Sequence, residues 1–363
     1  MQKINIKNQI TKLYMVTAIG YFQIAGASWV ALLALRGFSL LEIGLMESIF
    51  HVVSFIFEIP SGVVADVFGR KKTLALSRFV SLMSKIFMIV STNFWTTAFA
   101  IGFSALSYNL ESGTREALAY DSLKFAGKEE DYNKYASTEM VIYRIVNSTA
   151  TLCAGLALIL GYKIAYAIDA VIGVVALLIT FALKEVCVDE KPEATRVTIR
   201  IRKVVRESAR FLVANKRARG IMIVNSFVGA VSTLVLFFLQ AKLPMAGLNN
   251  GLLGPSLFIM GLGAALGARM VAHFPQRDYV KLLLISGTGV LFAFAMTFTG
   301  MPYIMIAGGF VGAFADDFLE VRTDVILNEM IPSEQRATLV SVSSFMFSVI
   351  MIVMSGFMGW IMG

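Results

Sequence analysis

The sequence predicts an all-α polytopic membrane protein, and three observations carry that reading. Hydrophobic residues make up 57% of the 363 residues and charged residues only 15%, against roughly 45–50% and about 25% in soluble globular domains. The apolar excess is gathered into runs of about twenty residues, the length that crosses the hydrocarbon layer. The cations behind the net charge of +8 fall mostly in alternate loops, where they set topology; they do not mark a nucleic-acid surface. The two cysteines, Cys153 and Cys187, imply no disulfide framework and read as apolar packing residues.

The first span, near 13–35, follows Lys3, Lys7 and Lys12. Its apolar run is too long for a secretory signal, and further spans follow it. These are expected near 41–65, 72–91, 94–122, 138–160, 163–184, 219–241, 252–273, 279–299, 302–327 and 336–362. Short turns at Ser91-Thr92-Asn93, Gly161-Tyr162-Lys163 and Thr299-Gly300-Met301-Pro302 leave little chain on one side, where only Arg36, Lys163 and Lys242 fall. The other side holds Arg70 to Lys72, Lys124, Lys128, Lys134, Arg269, Arg277, Lys281, Arg322 and Arg336. The positive-inside rule therefore places the N-terminus in the cytoplasm and the chain in the cell membrane.

The only long connection divides the chain into a six-span half, 1–185, a central loop, 186–218, and a five-span part, 219–363. Within the loop, Thr198 to Asn215 reads as an amphipathic helix lying on the membrane surface, a tether between halves. Gly261, Gly263 and Gly267 read as a helix-packing face, since small residues let helices approach in lipid.

The turn between the second and third spans is the most informative stretch. Gly62 suits close helix approach, Asp66 suits a helix terminus or turn that donates hydrogen bonds, and Gly69 suits a very short turn. Arg70, Lys71 and Lys72 hold the turn on the basic side.

Ionisable residues inside spans are expensive and face the bundle interior or water. Glu47, His51, Ser54 and Glu58 are spaced by four, three and four residues, which puts them on one helical face. Two carboxylates there cost roughly 5–7 kcal/mol, so the stripe points at protein or water and is a candidate proton route. Glu111 and Arg115 make a favourable acid-first pair four apart. Arg144 and Asn147 are cavity candidates in the fifth span. In the tenth, Asp316, Asp317, Glu320, Arg322 and Asp324 crowd together, and carboxylates so crowded favour taking up a proton between them. Asp316, Asp317 and Glu320 are therefore the candidates for proton coupling or solute binding.

The string Gly62-x-x-x-Asp66-x-x-Gly69-Arg70-Lys71 resembles the loop between helices two and three of the major facilitator superfamily of secondary transporters. The resemblance implies two pseudo-symmetric six-helix halves, with the twelfth helix missing from this chain. It also implies alternating access around a central cavity, with Gly62, Asp66, Gly69, Arg70 and Lys71 latching one conformation. The likeness is loosest but best to multidrug exporters. Asn109 stands where those often carry an arginine, and the fifth span lacks their Gly-Pro motif, which weakens drug antiport. The expected function is proton-coupled efflux of a small amphiphilic solute by a monomer in contact with membrane lipids. The alternatives are an uncoupled or symport facilitator for a metabolite, or a membrane-embedded enzyme or scaffold. Enzyme motifs, cofactor loops and paired metal ligands are absent from the sequence: His51 and His273 are too few and too far apart for a metal site.

Overall fold

The computed structural model describes residues 5–186, 206, 210–211, 213–274, 279–330 and 336–363. Most of the expected surface helix over 198–215, together with Cys187 and Arg277, lies outside those residues. The regular elements described are all helical. In chain order they are α1 (Ile6–Gly20), α2 (Trp29–Leu35), α3 (Leu40–Phe68), α4 (Arg70–Val90), α5 (Phe94–Glu111), α6 (Thr114–Phe125) and α7 (Tyr132–Leu152). There follow α8 (Ala154–Leu160), α9 (Tyr162–Phe181), α10 (Lys216–Met245), α11 (Leu253–Met270), α12 (Tyr279–Met296), α13 (Pro302–Met330) and α14 (Arg336–Met362).

Helix ends follow local chemistry. Ser39 and Glu42 cap α3 reciprocally, and Asn93 with Thr96 does the same for α5; such boxes satisfy donors the helix leaves orphaned. The turns at Gly161 and Gly300 use φ of +79° and +66°, the region open to glycine.

Helix occurs at each of the eleven expected spans, but three are not the continuous rods expected. The first is interrupted between Gly20 and Trp29, with a single 3-10 turn at Gly26–Ser28. The fourth breaks at Ser112-Gly113, where Gly113 takes φ +72°. The fifth starts earlier than expected and bends by 43° at Cys153. Among the described residues seven helices are long and apolar enough to cross a membrane, and the bent pair makes eight.

The chain forms two compact units, residues 1–27 with 52–201, and residues 28–51 with 202–363. The boundary falls in the interrupted first span and again within α3, after His51. In the first unit, hydroxyls replace bulk at helix contacts. Ser77 and Ser107 donate to one another's backbone carbonyls at 2.8 and 3.0 Å, and Ser84 donates to Ala100 at 2.7 Å, tying α4 to α5. A core of Leu13, Leu74, Leu118, Leu123, Tyr135 and Leu183 closes its basic end.

In the second unit, glycine sets the contacts. A β-carbon at Gly263 or Gly267 would collide with the carbonyls of Phe310 and Phe314, so α11 lies directly on α13. The expected packing face is real at those two positions, while Gly261 faces open space. Residues 28–51 are held the same way. A β-carbon at Gly44 would strike the Ser355 carbonyl, and one at Gly359 the Leu40 carbonyl, so the start of α3 lies against α14. Trp29 packs edge-on against Phe237 of α10, at 5.2 Å between centroids.

Candidate functional site

In the first unit, the turn between α3 and α4 is reduced to Gly69, at φ +104°. Glu185, beyond the end of α9, accepts from the backbone N–H of Lys71 at 3.1 Å and of Lys72 at 3.3 Å. An anion is thus seated on the N-terminus of α4, where the dipole and unpaired N–H groups favour it. The sequence reading assigned that kind of role to Asp66 and did not find Glu185, which is far away in the chain. A β-carbon on Gly69 would lie 2.9 Å from the Glu185 carboxylate carbon, so glycine is needed for space as well as for φ. Arg70 pairs with Asp121 and donates to the Ala117 carbonyl at 2.6 Å. Gly62 behaves differently from expectation: a β-carbon there would meet no described residue within 4 Å beyond its own stretch of helix.

Deeper in the same unit lies a buried ionic network. Arg78, 5% exposed, pairs with Glu111. Arg115 reaches Glu111 at 2.9 Å, Glu116 at 2.7 Å and Glu139 at 2.9 Å. Thr17 donates to Glu139 at 3.2 Å, and the Tyr21 ring lies 5.9 and 5.3 Å from the two guanidinium carbons. The expected pairing of Glu111 with Arg115 is present, but across a broken helix: Gly113 ends α5 and lets α6 start afresh. Arg78 and Glu139 were missed, although a charge inside an apolar span was signal enough.

Asp169, in the middle of α9, was missed too. It is fully buried, and its carboxylate accepts from the N–H groups of Ile24 at 2.8 Å, Ala25 at 3.1 Å and Gly26 at 3.0 Å. Those are the amides left open by the interruption of the first span. Non-helical backbone at membrane depth needs such partners, and one carboxylate supplies all three. Lys85 of α4 is buried as well, and its ammonium donates to Ser81 at 3.3 Å.

The carboxylate stripe on α3 is divided. Glu58 is half-buried, and its side chain makes no hydrogen bond or ion pair among the described residues. Ser54, one turn earlier, exchanges two hydrogen bonds with Asn109, both 3.1 Å. Arg144 and Asn147 are exposed on α7 and are not gathered into the ionic network.

In the second unit, Glu47 and His51 stay together at 3.3 Å, and the buried Nδ1 of His51 has no partner among the described residues. His51 faces Phe347 edge-on at 6.0 Å. Ser232 donates to the Gly312 carbonyl at 3.5 Å, and a β-carbon at Gly229 would lie 3.6 Å from the Asp316 carboxylate. Asp317 is half-buried beside it and Glu320 exposed one turn on. Below them Tyr279, Thr323 and Asn225 form a hydrogen-bonded chain at 3.1 and 2.9 Å.

The family model of the Major Facilitator Superfamily matches residues 13–277. An uncharacterized MFS-type transporter, YxaM of Bacillus subtilis (strain 168), is 24% identical over 324 residues, 87% of this chain and 79% of that relative. Among solved structures, the nucleoside transporter NupG superposes with a TM-score of 0.76 at 16% identity, covering 97% of this chain and 89% of that one. A D-xylose-proton symporter gives 0.66 at 11% identity, covering 96% and 89%. Matched across well over half of its length, this multi-pass membrane protein is a transporter, not an enzyme, and belongs to the Major Facilitator Superfamily.

Proposed function

We propose that the chain is a proton-coupled symporter of a small polar metabolite, of nucleoside or sugar class, in the cytoplasmic membrane, with its N-terminus inside. Glu58 carries the reading. A half-buried carboxylate with no hydrogen bond or ion pair among the described residues, inside a membrane-spanning helix, is costly unless it holds a proton or meets a polar solute. Glu47, His51 and Asp316 are further carriers of protons or solute contacts, and the latch residues Gly62, Asp66, Gly69, Arg70 and Lys71 govern the conformational exchange. The names of the similar structures, a nucleoside transporter and a xylose-proton symporter, favour a polar metabolite over an amphiphilic drug. Alternating access about a midplane site is the general scheme for such carriers.

The test is reconstitution of the full chain in proteoliposomes with radiolabelled uridine or xylose outside and an inward proton gradient. Accumulation that a protonophore abolishes is expected. Glu58→Gln should lose that accumulation while still exchanging labelled for unlabelled solute. Expulsion of ethidium with no movement of either labelled solute would overturn the reading in favour of efflux.

A further inference from the structure

The basic end of the first unit carries a cavity of about 370 Å³ between the start of α1, the α6–α7 connection and the start of α7. Lys7, Lys128 and Lys134 come from those three places and line it together. None of the three ammonium groups has a hydrogen bond or ion pair among the described residues. Among the described residues Asp131 is the only acid in the wall, and it pairs with none of them. Lys12, by contrast, next to Thr11 on α1, is used by the fold and donates to the Ala182 carbonyl at 2.9 Å.

One side of the cavity is Tyr14, stacked on Tyr135 at 5.2 Å and 15°. The Tyr14 hydroxyl has no protein partner among the described residues, which leaves a neutral donor beside three cationic ones. Ile6 and Ile10 make the wall apolar on the α1 side. The combination is amphiphilic: a net positive donor set fits a phosphate anion, and the isoleucines fit the hydrocarbon attached to it. Basic pockets between helix ends at the membrane surface are where anionic headgroups bind.

We propose that this cavity is a phosphate-binding site whose occupant is the headgroup of an anionic membrane lipid. The same donors would take a soluble phosphate ester, so the test separates the two sources. Purified full chain is exchanged into nanodiscs of phosphatidylcholine with and without phosphatidylglycerol, and retained lipid is counted by native mass spectrometry. Glycerol 3-phosphate is titrated separately by calorimetry. The triple variant K7Q/K128Q/K134Q is compared with K163Q/K216Q/K281Q, which removes the same charge from exposed positions elsewhere.

Retention of phosphatidylglycerol by the wild type and by the exposed-lysine control, with binding weaker by roughly 10- to 100-fold in the cavity variant, is the expected result. Glycerol 3-phosphate binding that is lost with the cavity lysines, without selective lipid retention, keeps the phosphate site and overturns the lipid source. Equal lipid retention and equal phosphate binding by both triple variants would overturn the site altogether.

Discussion

Arg78 is the residue on which the first unit's interior most depends. It pairs with Glu111, stands over Tyr21, and leaves no room for a β-carbon on Gly20, which would fall 2.7 Å from the guanidinium carbon. Removing one member of a buried pair strands the other and typically costs about 3–5 kcal/mol. Arg115 still contacts Glu111, so Arg78→Met is expected at the lower end, about 3 kcal/mol, read as a lowered unfolding temperature in detergent. A double-mutant cycle with Glu111→Gln should show strong coupling, because the two side chains share one contact. Gly69 is a second single-residue constraint. Gly69→Ala meets both a positive φ and the Glu185 carboxylate, at a cost of about 1–3 kcal/mol. Its transport rate should fall, and truncating the obstacle with Glu185→Ala in the same chain should relieve the crowding but not the φ strain, giving partial recovery.

At the scale of an element, the interrupted first span matters most. Its open amides end on Asp169, so the break is a defined conformation with every exposed N–H of Ile24, Ala25 and Gly26 satisfied. Asp169→Asn keeps the shape and one acceptor oxygen but turns the other into a donor facing donors. Each buried N–H left unsatisfied costs about 1–3 kcal/mol. Hydrogen exchange over 21–28 should therefore accelerate strongly in Asp169→Asn, while exchange in α12 stays at the wild-type rate. Equal protection in the variant would mean that these bonds do not hold the break. Such interruptions were the least legible features of the sequence. A hydropathy window of a membrane thickness averages over them, and Gly26 or Gly113 looks no different from the other glycines among 29. Asp169 meets its partners 143–145 positions away, beyond any helical periodicity.

For the whole molecule, the helical segments and the family were readable because both signals are local: runs of apolar residues, and a turn whose glycine and cations are adjacent. The ionic network was half readable. Glu111 and Arg115 are neighbours in sequence, but Arg78 and Glu139 join them only by packing, just as Glu185 reaches the α3–α4 turn only by packing. Residues 28–51 group by their contacts with residues 202–363 in the second compact unit. That has a practical outcome for anyone dissecting the gene. A fragment starting near Arg202 encodes a unit deprived of its own wedge, with Ser355, Gly359 and Phe237 stripped of their cover. It should precipitate when made alone, and co-expression with a piece ending before Arg202 should rescue it into the membrane fraction. Omitting residues 28–51 from that helper piece should forfeit the rescue, because complementation here depends on an insert borrowed from the opposite end of the polypeptide.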